Sequence, residues 1–385
     1  MAYKTKKPKK NLTKAEELTL AKTQFSAYVR ARDHGHEDYI HMAKKCDAYY
    51  RGEQWDEFDM QNLDDQGRPA LTINTILPTV NAVLAEQSTK KADIQFKPRG
   101  GGNQEIADVL TQVYSQIADN NKLDWVEAQV FSDGLIQDRG YFDVRIDFDD
   151  HVNGEVRIEA KDPLDILIDP DAKHYDPRTW NEIFESKWMS IDEIEETYGQ
   201  DKADKLRFLA ETGTTLGADS MEFEESRYGD TDEYNYGQQY PGDPENARML
   251  RSIRVIERQY YKLDDCMYYV DPVTGDKRKI PNAWGKKKRE EFADTYGLGI
   301  ISKKMRRVRW TVTADTVVLF DDYSPYDHFT IVPYFPYFRR GKPFGMVRNL
   351  LSPQEQLNKI TSQELHIVNT TANSGWIVES GSLSG

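Results

Sequence analysis

Paired histidines beside a glutamate suggest zinc chemistry, and this chain has such a run in His36-Glu37-Asp38-Tyr39-Ile40-His41. Zinc needs two imidazoles on one helix face, four residues apart. Five residues apart they point roughly 140° away from each other on a regular helix, so the pair reads as surface histidines of an amphipathic helix. Carboxylates are the second candidate. Asp147, Asp149, Asp165 and Asp169 raise a metal-dependent nuclease, in which acids from separate strand ends hold two ions within about 4 Å. Alternation argues against it, because Asp143, Asp147 and Asp149 fall opposite Phe142, Val144, Ile146 and Phe148. That pattern predicts the solvent face of a half-buried strand. Gly100-Gly101-Gly102 lacks the Gly-Lys-Ser/Thr ending of a phosphate loop, there is no Gly-x-Ser-x-Gly elbow, and neither cysteine sits in a nucleophile motif. The reading is a protein that is not an enzyme, with no catalytic residues, no metal and no cofactor.

The most specific charge feature is basic. Lys277–Arg309 holds 12 Lys/Arg against Glu290, Glu291 and Asp294. Its candidate contacts are Lys286, Lys287, Lys288, Arg289, Lys303, Lys304, Arg306, Arg307 and Arg309. Two readings stay open: the solvated face of a hairpin, or a surface that meets phosphate or an acidic partner. Asp192–Glu245 is its counterpart, with 16 acidic residues against four basic ones. These blocks are expected to lie near each other, across subunits if the chain assembles; alternatively the basic block meets a different protein.

The 385 residues carry a net charge of −14. So acidic a chain is a poor general coat for nucleic acid, whose binding rests on neutralising phosphates with Lys and Arg. Two cysteines, Cys46 and Cys266, exclude a disulfide scaffold and a structural zinc finger. No apolar run approaches the ~18 residues of a membrane span, and no apolar signal core opens the chain. A soluble protein made in a cytoplasm is expected.

Periodicity predicts an α+β chain. Residues 1–12 read as a flexible basic tail, with Lys4, Lys6, Lys7, Lys9 and Lys10. Leu12–Trp55 is helical in pattern, broken near His34-Gly35-His36, and a further helix crosses Thr75–Gln87. Ala92–Lys97 reads as a short strand. Two amphipathic helices follow, the first on Ile106, Val109, Leu110, Val113, Tyr114 and Ile117. Gly140 opens a hairpin that turns at His151–Gly154. Short strands are expected at Leu164–Ile168 and Ile183–Met189, then a helix at Ile191–Tyr198 behind the capping box Ser190/Glu193. Residues 212–246 read as an exposed acidic insertion. Asp264-Asp265 marks a turn between strands 253–261 and 267–270, and Ala314-Asp315 a turn between Val308–Val312 and Thr316–Phe320. The aromatic loop SPYDHFTIVPYFPYFRRGKPFG leads to a last helix, Pro353–Thr371, and the chain stops soon after Trp376-Ile377-Val378.

Several stretches together carry a resemblance. They are Tyr49-Tyr50-Arg51-Gly52-Glu53-Gln54-Trp55, Gly67-Arg68-Pro69, Ile73-Asn74-Thr75-Ile76, and Asp162-Pro163-Leu164-Asp165-Ile166-Leu167-Ile168-Asp169-Pro170. Arg254-Val255-Ile256-Glu257 with Tyr260-Tyr261, Phe344-Gly345 and Ser352-Pro353-Gln354-Glu355-Gln356-Leu357-Asn358-Lys359 complete the set. In this order the chain resembles the portal (head-to-tail connector) protein of tailed bacteriophages, most closely the short-tailed-phage branch. The resemblance spans about Tyr49 to Gly375.

It implies a virion protein, assembled in the bacterial host cytoplasm, whose ring is usually a dodecamer at one capsid vertex. Implied partners are other copies of the chain, the major capsid protein, terminase, tail adaptor proteins, and double-stranded DNA passing through during packaging and ejection; no membrane is implied. It also implies a helical and hairpin wing over 13–170 and a β-rich stem and clip over 171–340. The final part, 341–385, would be an interior helix leading to a crown or barrel. The end at Gly385 departs from that pattern and suggests a partial chain. A different virion protein, such as a tail or adaptor subunit, is the alternative alongside the nuclease.

Overall fold

The computed structural model describes residues 13–90, 94–99, 102–148, 152–212, 216, 220–223, 250–272, 275–280 and 284–371. The basic tail, Gly100-Gly101, Asp149, Asp150, most of the acidic insertion and Trp376-Ile377-Val378 lie outside the described residues.

In chain order the described helices are α1 (Lys14–Ala31), α2 (Glu37–Arg51), α3 (Glu57–Asp65), α4 (Ile76–Thr89), α5 (Gln104–Asn120), α6 (Leu123–Gln137), α7 (Ile191–Tyr198), α8 (Gln200–Thr212), α9 (Lys286–Tyr296) and α10 (Met346–Thr371). The strands are β1 (Gly140–Asp147), β2 (Glu155–Lys161), β3 (Ile166–Ile168), β4 (Glu182–Met189), β5 (Met221–Phe223), β6 (Leu250–Val270), β7 (Lys277–Lys279), β8 (Gly299–Ala314), β9 (Val317–Tyr323), β10 (Ile331–Tyr334), β11 (Tyr337–Arg339) and β12 (Lys342–Phe344). The α+β class expected from the sequence is present. Two compact units divide the chain: residues 1–34 with 165–330, and 35–164 with 331–385. No described helix is long and apolar enough to cross a membrane.

The first unit is built on β6. Its sheet runs β3-β4-β6-β8-β9, with β5 and β7 also pairing to β6. Opposite faces of β6 bury different helices. Ile253 and Val255 pack with Val312 and Ala314 against Ile191, Ile194, Ala203 and Leu206 of α7 and α8. Ile256, on the other face, packs with Tyr28 and Ala31 of α1 and with Phe184 of β4. Both α1 and α7 open on a capping box, Thr13/Glu16 and Ser190/Glu193, which satisfies backbone donors that a helix start leaves bare.

The expected turn at Asp264-Asp265 is absent. β6 runs unbroken through it for 21 residues, pairing antiparallel with β8 from Val255↔Ala314 to Val270↔Gly299. The acidic pair lies opposite Met305 and Lys304, and Arg307 donates to Asp264 at 2.6 Å. A cationic partner strand offsets the two charges that would otherwise favour a turn. The turn expected at Ala314-Asp315 is present, with Asp315 in the left-handed region at φ 47°.

In the second unit, β10, β1 and β2 form a three-stranded antiparallel sheet, with Gly140 opposite Tyr334 and Tyr141 opposite Lys161. Tyr334 meets Phe131 of α6 with ring centroids 5.7 Å apart, so α6 lies on the face bearing Phe142, Val144 and Ile146. The opposite face is not the solvated one that alternation predicts. Asp143 is buried there, ion-paired with Arg145 at 2.7 Å and with Lys161 at 3.4 Å. Salt bridges neutralise that face, so a period-two reading mistakes it for surface.

Three further readings are corrected. His36 is buried, not a surface residue; its Nε2 lies 3.0 Å from the Leu164 carbonyl and its ring packs on Tyr39. It ends a π-turn over Arg32–His36, which shifts the helical phase the sequence reading assumes. Residues 94–99 form no strand; the Phe96 N–H instead donates to the Thr111 hydroxyl of α5. The last helix begins seven residues before Pro353, because Val347 and Leu351 are held in the core with Cys46, Tyr49, Ile76, Val80 and Leu135. Core burial outweighs the hydrogen bond that an interior proline forfeits.

Candidate partner-docking site

The basic segment folds as one module at the far end of β6. There β6 is flanked by β7 and by the first half of β8, and α9 packs over Tyr269. Tyr269, Ile280 and Ala293 are its buried core, with Trp284, Phe292 and Leu298 against them. Phe292 is the hub: its ring lies 5.2 Å from Tyr269, 5.2 Å from Trp284 and 4.6 Å from Tyr296. Aromatic burial of this kind compensates for a helix that starts badly. Gly285 supplies no side-chain cap, and no acidic residue stands in the first turn. Lys286, Lys287, Lys288 and Arg289 occupy it instead, where the helix dipole favours anions.

The nine candidate cations divide by what surrounds them. Arg307 and Arg309 are internal to the sheet: Arg307 pairs with Asp264, and Arg309 forks onto both oxygens of Asp321. That contact raises the Arg309 pKa although burial alone would lower it, and both guanidiniums lie over the Tyr323 ring. Arg289 donates Nε to the Trp284 carbonyl at 2.7 Å, and its own carbonyl accepts from Tyr269. Lys288 lies over Trp284 and Arg306 over Tyr261. Lys286 approaches Glu290 only at 3.8 Å and is 90% exposed. Lys287, Lys303 and Lys304 are exposed. Pairing in register puts Lys303 with Arg307 on one face of β8 and Lys304 with Arg306 on the other.

The acidic helices of the same unit are not beside this module. α7 and α8 pack on Ile253 and Val255, whereas α9 packs at Tyr269. Fifteen strand residues separate the two places, about 50 Å along β6. Within α8, Arg207 is taken by Glu195 and Asp204.

Two aspartates of the nuclease reading, Asp147 and Asp169, have structural partners, while Asp149 lies outside the described residues. Asp147 pairs with Arg157 at 3.1 Å. Asp169 accepts from the backbone N–H groups of Asp171 and Asn181 and from the Asn181 carboxamide. No group of three or more His, Cys, Asp or Glu among the described residues is placed to hold a metal ion.

Sequence reasoning misses a polar ladder in the second unit. Gln354, Asn358 and Ser362 of α10 are all buried, four residues apart and so on one helix face. They grip the extended strap 71–75. Gln354 accepts from the Thr75 N–H and hydroxyl, and donates to the Ile73 carbonyl; Asn358 accepts from the Ile73 N–H; Ser362 accepts from the Leu71 N–H. The ladder joins stretches read separately in the sequence: Asn74 also donates to the Tyr50 carbonyl, and Glu355 accepts from Tyr49 and Lys45. Those two donors hold the Glu355 carboxyl below its ordinary pKa.

A family model described as phage P22-like portal protein matches residues 26–385. No curated protein matches the chain.

Proposed function

The chain belongs to the phage P22-like portal protein family, structural head-to-tail connectors of the virion, and on that premise we propose that it builds the DNA conduit at one capsid vertex. Copies close into a ring, with twelve as the working number. A closed array of head-to-tail contacts encloses a duplex that one small unit cannot. The acidic balance of the chain suits a passage through which DNA slides, since a uniformly cationic lining would hold phosphates and act as a brake. Residues 13–170 supply the wing, 171–340 the stem and clip, and α10 returns toward the interior.

Within this reading the basic module at the end of β6 is the clip, the surface that terminase and then the tail adaptors engage. The observation that carries it is the separation of charge along β6. The carboxylate-rich helices α7 and α8 pack on Ile253 and Val255, about 50 Å along β6 from Tyr269 where α9 packs, so Lys286–Arg289 await a partner other than the α7–α8 pair. Arg307 and Arg309 are left out of the contact, being neutralised within the sheet.

The test is charge reversal of Lys286, Lys287, Lys288 and Arg289 to Glu. Negative-stain images should still reveal hollow rings, while DNA packaging in a reconstituted head assay fails. Loss of the rings would instead make the module a subunit contact, and compact single particles from the unaltered protein would overturn the conduit itself.

A further inference from the structure

Beyond β10, the aromatic loop read from the sequence folds into a two-stranded hairpin. β11 and β12 pair with Tyr337 opposite Phe344 and Arg339 opposite Lys342, leaving Arg340-Gly341 as the two-residue turn. Both turn residues are left-handed, at φ 51° and 83°, the geometry of a type I′ hairpin. Its base is rigid. Tyr337 stacks on Phe344 at 5.2 Å and Phe338 on Phe335 at 5.5 Å, Pro343 and Phe335 are buried, and the Gly345 N–H donates to buried Asp138 at 2.6 Å.

The tip holds three cations in four residues. Arg339, Arg340 and Lys342 are exposed and, among the described residues, none has a carboxylate within ion-pair distance. Arg340 occupies a left-handed position where Asn, Asp or Gly would fit with least strain. A long cationic side chain stands there against the backbone's preference, in a chain whose net charge is −14. We propose that this tip contacts the phosphate backbone of duplex DNA. It presents charged heads on a fixed base, which is the chemistry of sequence-independent phosphate contact. The contact rests on the conduit reading and adds a place where the sliding duplex is held, one per subunit.

The test uses the purified full chain and a fluorescein-labelled duplex, with binding followed by anisotropy across a salt series. The variant Arg339→Gln/Arg340→Asn/Lys342→Gln keeps the turn geometry, since Asn accepts the left-handed position. It should weaken binding roughly tenfold or more at low salt and lower the slope of log K against log salt by about 2.7 per hairpin engaged. Arg339→Lys/Arg340→Lys should retain both, and reversal of Lys286–Arg289 should change neither. Thermal melts and negative-stain images of each variant establish that fold and assembly are unchanged. An unaltered slope in the neutralised variant, or an unmodified protein that binds no duplex at low salt, overturns the proposal while intact rings leave the conduit reading standing. Absence of rings in the unmodified protein would defeat the conduit reading instead.

Discussion

Asn358 donates through its carboxamide to the side-chain oxygen of Gln54 at 2.7 Å, across 304 positions of sequence. Gln54 in turn donates to the Tyr49 carbonyl at 2.9 Å, and the other end of Asn358 takes the Ile73 N–H at 3.0 Å. One carboxamide therefore ties two chain segments to α10.

Replacing Asn358 with Leu should be costly despite the gain in apolar area. The Ile73 N–H and the Gln54 oxygen would both be left unpaired away from water, at about 1–3 kcal/mol for each. Chemical denaturation should report the loss as a lower midpoint. A midpoint within error of the unmodified protein would mean the ladder is not a source of stability.

Gly345 is required for steric reasons, since its φ lies outside the left-handed region. A Cβ there would lie 2.7 Å from the Leu135 carbonyl, 2.8 Å from that of Gly134 and 3.0 Å from Asp138 Oδ1. Two of those atoms are backbone and cannot swing away. Gly345→Ala should destabilise by about 1–3 kcal/mol, read as a lower Tm, and Gly299→Ala, whose Cβ would meet only the Val270 carbonyl at 3.7 Å, should not.

Asp133 gives the second unit a pH dependence. Burial, followed by the neighbouring carboxylates Asp162 and Asp47, pushes its pKa up to about 7. Folding therefore favours the protonated acid. Its contribution is fully present below the unfolded pKa of about 3.9 and is lost as pH rises through about 7. Asp133→Asn should raise Tm at pH 8 and leave it nearly unchanged at pH 4. An equal effect at both values would remove Asp133 from the titration.

The Arg307–Asp264 contact is the local reason that β6 continues where a turn is expected. Both side chains are partly buried, at 14% and 30% exposure. A double-mutant cycle with Arg307→Ala and Asp264→Ala should return a coupling of about 0.5–1 kcal/mol. Zero coupling would assign the continuity of the strand to backbone pairing alone.

Legibility from sequence followed the range of the forces involved. The β1–β2 hairpin is readable because alternation is local, and the capping boxes because three residues suffice to write them. The burial of Asp143 is not readable, since Lys161 and Arg145 neutralise it only once β2 is paired. Asp264-Asp265 looks like a turn until β8 arrives from 40 residues away in sequence. Pro353 looks like a helix start because the contacts carrying the helix upstream belong to Val347 and Leu351. The basic block is visible as composition, yet only the fold separates Arg307 and Arg309, spent inside the sheet, from the exposed lysines of α9 and β8. Gln354, Asn358 and Ser362 resemble surface residues in any window, and nothing short of the strap opposite them reveals otherwise.

An unbroken strand of 21 residues is about 70 Å of inextensible tether. A pull on the α9 end of β6 meets no loop that could lengthen, and loads the β4 and β8 ladders in shear. Many hydrogen bonds then resist together rather than parting one at a time. A tug at the tip would be felt almost undiminished by the helices at the root.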